Sequence, residues 1–134
     1  MVHETTLRVR YSETDAQGIA NNANYLSYFE IGRVEWLRAA GFSYAGLERR
    51  GYGFVVVEAH INYKRAARFD DELTLHTKLA ELKRATLRFE YELVRGDETI
   101  CTGYTRHGCI EIPTGRPTRI PAELDGYRES GRRV

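Results

Sequence analysis

The sequence predicts an α+β domain in which a curved antiparallel sheet of about five strands wraps around one long helix. Residues 22–40 contain no proline and are followed by Gly41, a frequent helix-ending residue, so they predict the long helix. Residues 71–82 and 86–95 alternate apolar and polar side chains, which is the period of strands with one buried face. Because apolar side chains nearly circle the predicted helix, the sheet must curl to bury it.

The first strand is predicted before the long helix. Leu7, Val9 and Tyr11 alternate with two arginines, a pattern that indicates a strand over residues 5–11 with one solvated face. After the helix, residues 42–51 can form a short second helix.

Two further strands complete the predicted sheet. They cover residues 54–64 and 99–112. The compact RGDE turn at 95–98 predicts an antiparallel hairpin between the fourth and fifth strands. The prolines of residues 113–121 are expected to end the sheet, since proline donates no ladder hydrogen bond. Because such a sheet has edges that pair readily with another copy, we expect a homodimer or homotetramer.

Length and composition indicate one ordinary globular domain. The 134 residues predict a single domain, with a core at about 5–113 and a C-terminal tail at about 121–134 whose last part, RESGRRV, is expected to fray. A formal charge of +1 and the absence of a long apolar run argue against nucleic-acid and membrane partners. The N-terminal residues lack the apolar core of a signal peptide, so we expect a cytoplasmic protein.

The cysteines and histidines indicate neither a disulfide nor a metal site. Cys101 and Cys109 lie eight residues apart in one predicted strand, roughly 26 Å, which is beyond disulfide reach. They are interpreted as reduced packing residues. The four histidines show no spacing typical of metal ligands.

The segment TDAQGIANNANY, residues 14–25, places one acid before the predicted helix start. A helix N-terminus leaves backbone N–H groups without partners and carries a partial positive charge, so it attracts anions or polarised carbonyl oxygens. Asn21, Asn22 and Asn24 are also ordinary capping residues, and Gly18 is an ordinary turn residue. Spacing alone favours the interpretation of Asp15 as a turn or capping residue over a catalytic one.

Two segments carry a resemblance to a known family. VRYSETDAQGIANNANYLSYFEIGRVEWL resembles the signature of the hotdog-fold thioesterases of the 4-hydroxybenzoyl-coenzyme A thioesterase family, which read Y-x-x-T-D-x-x-G, then x-x-N-Y and a Glu-bearing helix. VEAHINYKRAARFDDELTL is similar to that family's aromatic, basic and Asp-Asp segment. The likeness spans about residues 5–112. It implies a hotdog fold and an acyl-coenzyme A thioesterase, which hydrolyses a thioester to a free acid and a thiol.

The resemblance also implies site residues. The family's catalytic carboxylate falls on Asp15, and the backbone N–H that faces the thioester carbonyl falls on Asn22, assisted by Gly18 or a neighbouring amide. Family members often have His or Tyr where this chain has Asn22. Tyr25 of the motif is assigned to the substrate, and Glu58 to a polar role across a dimer, although an exposed strand Glu explains that position equally well.

Two basic clusters are candidates for the coenzyme A phosphates. The resemblance assigns Lys83 and Arg84 to the nucleotide end. A second candidate is the cluster of Lys64, Arg65 and Arg68. Solvated surface charges are the alternative for both. Coenzyme A is part of the substrate, so no separate cofactor or metal is implied.

Several alternatives stay open. Asp15 either activates a water molecule or attacks the thioester directly. The thiol carrier is coenzyme A or an acyl carrier protein, and the acyl group is not specified. The rival functions are a hotdog hydratase or dehydratase, for which the corner lacks a histidine, and a non-catalytic module that binds acyl thioesters.

Overall fold

The computed structural model describes residues 1–127, so the RESGRRV segment lies outside the described residues. Within this range, the main elements are β1 (Val2–Arg8), α1 (Ala23–Ala39), α2 (Tyr44–Arg49), β2 (Tyr52–Tyr63), β3 (Glu72–Leu82), β4 (Thr86–Arg95), β5 (Glu98–Glu111) and β6 (Pro117–Thr118). Short 3-10 helices cover Tyr11–Glu13 and Ala122–Tyr127. The long helix thus begins and ends within one residue of its predicted bounds.

The strands form one antiparallel sheet in the order β1-β3-β4-β5-β2. The predicted β4–β5 hairpin is confirmed, and its turn contains Gly96 at a φ of 57°. One prediction about the sheet was wrong, since the proline segment does not end it. Pro117 lies opposite Ile110 in the short strand β6, at a position where a missing donor is tolerated because the strand is short and peripheral.

Helix α1 packs on the inner face of the sheet. The predicted inward positions of β3 and β4 are all buried; they are Leu73, Leu75, Thr77, Leu79, Leu87, Phe89, Tyr91 and Leu93. Phe29 of the helix stacks on Tyr91, with ring centroids 4.2 Å apart. Gly32 lets the helix approach β3, because a Cβ atom there would overlap the side chains of Thr77 and Leu75. The core therefore lies between one face of α1 and the concave side of the sheet.

The prediction for the first strand was shifted along the chain. β1 pairs with β3 from Val2 to Arg8, and the chain leaves the sheet before Tyr11. The side chain of Tyr11 is consequently 77% exposed rather than buried, while Val9 is 1% exposed. Pairing with β3 decides the strand's position, and the apolar alternation past residue 8 does not reflect sheet pairing.

The last described residues also belong to the core. Ile120 and Leu124 are each 1% exposed, and the ring of Tyr127 lies 5.1 Å from that of Trp36. Packing of this segment therefore extends beyond the predicted core limit at residue 113. Cys101 and Cys109 are free and buried, as predicted. In the described part of the chain, neither helix is long and apolar enough to cross a membrane.

Helix α1 is less enclosed than its apolar character predicts. Leu26 and Ile31 are 44% and 42% exposed in the single chain. Strand β2 lies at the edge of the sheet, and its residues Val56 and Val57 are 52% and 57% exposed. The helix and the edge strand together present apolar side chains that nothing in residues 1–127 covers.

Candidate active site

The loop before α1 is a tight turn closed by backbone hydrogen bonds. The Asp15 N–H donates to the Ile19 carbonyl at 3.0 Å, and the Gly18 N–H donates to the Asp15 carbonyl at 3.0 Å. Gly18 has a φ of 76°, which is a conformation that favours glycine. Because its N–H is already used within the turn, Gly18 shapes the loop and offers no free backbone donor.

A second segment, residues 67–69, fixes this loop to the protein. The Ala20 N–H donates to the Ala67 carbonyl at 2.7 Å, and the Phe69 N–H donates to the Gly18 carbonyl at 3.1 Å. The Ala67 N–H in turn donates to the Tyr25 hydroxyl at 3.3 Å. Tyr25 is only 2% exposed, so the structure gives this predicted substrate residue a role in holding the loop.

The Asp15 carboxylate lies at the surface of the loop. Its Oδ1 atom accepts a hydrogen bond from the Gln17 N–H at 2.8 Å, as in an Asx turn. Its Oδ2 atom has no hydrogen-bond partner within residues 1–127. The turn explanation therefore accounts for one oxygen and leaves the other available to a water molecule or a substrate.

The start of α1 leaves one backbone donor unpaired. The Asn21 side chain accepts from the Ala23 N–H at 3.0 Å, and the Asn21 carbonyl accepts from the Asn24 N–H at 2.9 Å. The Asn22 carbonyl accepts from the Tyr25 N–H at 3.3 Å. The Asn22 N–H itself has no acceptor in the described part of the chain. Asn21 is thus the capping asparagine, and Asn22 supplies the free donor at the positive end of the helix.

Glu13, which the sequence interpretation missed, joins this loop to the helix. Its Oε1 atom accepts from the Arg10 N–H at 2.8 Å and from the Tyr28 hydroxyl at 3.0 Å. Its Oε2 atom accepts from the Arg10 Nε–H at 3.0 Å. Burial alone raises the pKa of Glu13, but these hydrogen bonds outweigh burial and hold the pKa below its ordinary value. The three-residue spacing of Arg10 and Glu13 is the one sequence signal for this cluster.

Glu58 belongs to a different cluster, on the outer face of the sheet. Its carboxylate accepts from the Tyr104 hydroxyl at 2.9 Å and from the Arg106 Nε–H at 3.0 Å. The hydrogen bond from Tyr104, followed by that from Arg106, holds the pKa of Glu58 below its ordinary value. No hydrogen bond within residues 1–127 joins this carboxylate to the Asp15 loop.

The two predicted basic clusters lie at opposite ends of β3. Lys64 and Arg65 belong to the connection that precedes β3, and both backbone N–H groups donate to the Ile100 carbonyl. Lys83 and Arg84 follow β3, where the Lys83 ammonium lies 3.8 Å from Glu81. An eleven-residue strand separates the clusters, which corresponds to roughly 33 Å. The connection that contains Lys64 and Arg65 also contains the 67–69 segment bonded to the Asp15 loop.

Comparison with known proteins identifies the family. The model of the thioesterase-like superfamily matches residues 9–126. The chain is 38% identical to a putative esterase of Aquifex aeolicus, over 87% of this chain and 90% of that protein. It is 35% identical to the acyl-CoA thioesterase YbgC of Haemophilus influenzae, over 88% of each chain. The crystal structure of DHNA-CoA thioesterase from Staphylococcus aureus superposes with a TM-score of 0.86 at 29% identity, covering 98% of this chain and 87% of that one.

These matches confirm the hotdog fold and the resemblance found in the sequence. They cover the Asp15 loop, the long helix and every strand after it. The chain therefore belongs to the thioesterase-like superfamily and is a thioester hydrolase.

Proposed function

We propose that this protein hydrolyses an acyl-coenzyme A to a free acid and coenzyme A, with the reaction at the corner between the Asp15 loop and α1. The relative from Haemophilus influenzae is named an acyl-CoA thioesterase, and the solved neighbour from Staphylococcus aureus is named for a CoA thioester. The observation that carries the proposal is the unpaired Asn22 N–H at the N-terminus of α1, close in sequence to a carboxylate with one free oxygen.

In this proposal, the Asn22 N–H polarises the thioester carbonyl. The carbonyl oxygen gains negative charge in the transition state, and a fixed N–H at the positive end of a helix stabilises that charge. One donor of this kind contributes about 3 kcal/mol to transition-state stabilisation. Because the donor is a main-chain group, the asparagine side chain can stand where relatives often carry His or Tyr.

Asp15 supplies the second half of the chemistry. As a general base, its free oxygen takes a proton from water while the water oxygen attacks the carbonyl carbon, and the thiolate of coenzyme A leaves. As a nucleophile, the same oxygen bonds to the carbonyl carbon, the C–S bond breaks, and water then hydrolyses the mixed anhydride. Single turnover in ¹⁸O-labelled water separates these routes, since only the nucleophilic route can place the label in the Asp15 carboxylate.

Cationic side chains are proposed to hold the phosphates of the substrate. Within one chain, Lys64 and Arg65 lie in the segment attached to the Asp15 loop, whereas Lys83 and Arg84 lie beyond the far end of β3. Replacing a lysine that binds a phosphate should raise KM with little change in kcat, because phosphate binding is common to the ground state and the transition state. Comparing Lys64→Ala with Lys83→Ala therefore shows which cluster contacts the nucleotide.

The functional unit is proposed to be a homodimer. A second copy would cover exposed apolar side chains of α1 and β2, which are Leu26, Ile31, Val56 and Val57. Strand β2 is also an edge strand, whose backbone is free to pair on one side within the described sheet. Sedimentation of the wild type and of Val56→Glu tests this, with a dimer expected for the first and a monomer for the second.

Asp15→Asn is the kinetic test of the proposed function. Hydrolysis of acyl-coenzyme A, followed with a thiol-trapping dye, should fall at least about 100-fold, since positioned acid–base groups contribute that much. Asp97→Asn, a change in the exposed β4–β5 turn, is the matched control and should leave the rate unchanged. An Asp15→Asn rate within about threefold of wild type would remove Asp15 from the reaction. Recovery of intact thioester from wild-type protein would instead support a binding module.

A further inference from the structure

We propose that Glu13 is a positioning residue for thioester hydrolysis, which fixes the Asp15 loop against the start of α1. This inference rests on the proposed function of the corner. Glu13 lies two residues before Asp15, and its carboxylate is 13% exposed. Through the Tyr28 hydroxyl it contacts the second turn of α1, and through Arg10 it contacts the end of the segment that follows β1.

The Glu13 backbone makes further contacts with the helix start. Its carbonyl accepts from the Asn21 N–H at 2.9 Å and from the Asn24 side-chain amide at 2.7 Å. Asn21 and Asn24 flank Asn22, whose N–H is the proposed carbonyl donor. Glu13 thus contacts one residue before the donor and one after it, and the chain continues from Glu13 directly into the Asp15 turn.

This arrangement makes the spacing of Asp15 and the Asn22 N–H depend on Glu13. The loop turn alone fixes Asp15 relative to Ile19, and the helix alone fixes Asn22 relative to Tyr25. Glu13 joins the two units through its side chain and its backbone, in addition to the 67–69 segment, which bonds to both the loop and Tyr25. Loss of its carboxylate should let them move relative to each other, and a displacement of about 1 Å at a reacting group can reduce a rate about 100-fold.

Glu13→Gln is the least disruptive change that weakens this joint. A glutamine oxygen can replace Oε1 and still accept from the Arg10 N–H and the Tyr28 hydroxyl, but its amide nitrogen, in place of Oε2, cannot accept from the Arg10 Nε–H. We expect kcat to fall about tenfold or more and KM to stay within about twofold, since the Glu13 carboxylate is engaged with Arg10 and Tyr28 and is proposed to position Asp15 and not to bind the substrate. Tyr28→Phe, which removes only the bond to the helix, should lower kcat in the same direction and serves if Glu13→Gln does not fold.

The test is a double-mutant cycle with Asp15→Asn. If Glu13 acts by positioning Asp15, Glu13→Gln should have little further effect on kcat when residue 15 is already Asn. The control is Leu124→Ala, which removes a buried side chain of the C-terminal 3-10 helix and should lower the melting temperature without lowering kcat.

Each outcome decides between the two proposals. An equal loss of kcat in both backgrounds, or an unchanged kcat in Glu13→Gln while Asp15→Asn is inactive, would overturn the role of Glu13 alone. A kcat loss in Leu124→Ala as large as that in Glu13→Gln would show that general destabilisation explains both. A nearly wild-type rate for Asp15→Asn would overturn the proposed function itself.

Discussion

Two clusters in this protein have the same chemical composition and different surroundings. The inner cluster consists of Glu13 with donors from Arg10 and Tyr28, and the outer cluster consists of Glu58 with donors from Arg106 and Tyr104. Hydrogen bonds hold both carboxyl pKa values below the ordinary range. The Glu13 side chain is 13% exposed and the Glu58 side chain is 48% exposed.

The difference in exposure decides what each cluster does. Removing the carboxylate from the inner cluster leaves the buried Tyr28 hydroxyl without its acceptor, which is costly, although the exposed Arg10 donors can bond to water. In the outer cluster, Arg106 keeps its second ion pair with Glu81 at 2.8 Å, and water replaces the half-exposed Glu58 carboxylate, so the loss of Glu58 costs little. The outer cluster also joins strands that backbone hydrogen bonds already hold together, whereas the inner cluster joins a loop to a helix. The same three side-chain types therefore join a loop to a helix in one place and cover the outer face of a sheet in the other.

The largest expected effect contrasts the two carboxylates directly. Glu13→Ala should lower the free energy of unfolding by about 2 to 3 kcal/mol, because a charged acceptor with three hydrogen bonds is lost. Glu58→Ala should leave the denaturant midpoint close to that of wild type. Urea unfolding of both variants measures this, and equal midpoint changes would show that exposure does not separate the clusters.

The stability of the protein at acidic pH depends on His107 as well as on Glu13 and Glu58, so the contribution of His107 must be separated first. Burial, assisted by the Arg33 guanidinium, lowers the pKa of His107 from 6.5 to about 4. A depressed histidine pKa contributes stability that is present above pH 6.5 and is lost as the pH falls towards 4. Both carboxylates have lowered pKa values, so their contribution is lost only as the pH falls below their ordinary pKa of about 4.3.

His107→Gln should therefore remove the first part of the acid loss. Glutamine can place a nitrogen near the Nε2 position, which lies 2.8 Å from the Thr105 hydroxyl, but it does not titrate. Between pH 7 and 4.5 the variant should lose about 2 kcal/mol less stability than wild type. Parallel stability curves for the two proteins over that range would contradict the assignment.

Loss of a single donor should distinguish the clusters with a smaller effect. Tyr28→Phe removes one hydrogen bond to Glu13 and should lower the free energy of unfolding by about 1 kcal/mol. Tyr104→Phe is the matched change in the outer cluster and should have no measurable effect on the denaturant midpoint. A larger change for Tyr104→Phe than for Tyr28→Phe would reverse the order proposed for the two clusters.

The smallest expected effect has the opposite sign. The Thr77 hydroxyl is buried and has no hydrogen-bond partner in the described structure, so Thr77→Val should stabilise the protein by up to about 1 kcal/mol. Thr105 is also buried, but its hydroxyl contacts Tyr91 and His107, so Thr105→Val should destabilise it. Thermal unfolding of both variants tests whether burying a threonine hydroxyl is costly only where the hydroxyl has no hydrogen-bond partner.

The sequence was most informative where one local pattern decides the structure. Alternation in β3 and β4 predicted which face is buried, and Gly41 after a proline-free stretch predicted the end of α1. The predicted position of β1 was wrong, because the actual position is set by pairing with β3, which lies more than sixty residues further along the chain. Local periodicity carries no information about such long-range pairing.

The candidate site was predictable only in part, for the same reason. The motif located Asp15 and Asn22, since both lie within one short segment before the helix. Glu13 could not be found in this way, because its contact with the helix is made by a hydroxyl fifteen residues further along the chain. Which carboxylate meets a tyrosine and an arginine in a partly buried place is decided by tertiary packing.

The most direct test of the proposed catalytic corner is a crystal structure with a non-hydrolysable acyl-coenzyme A analogue whose sulfur is replaced by methylene. The carbonyl oxygen of the analogue should lie about 3 Å from the Asn22 nitrogen, with a carboxylate oxygen of Asp15 facing the carbonyl carbon directly or through one water molecule. A carbonyl group bound away from both residues, in a protein that still hydrolyses the parent thioester, would contradict the proposed catalytic corner.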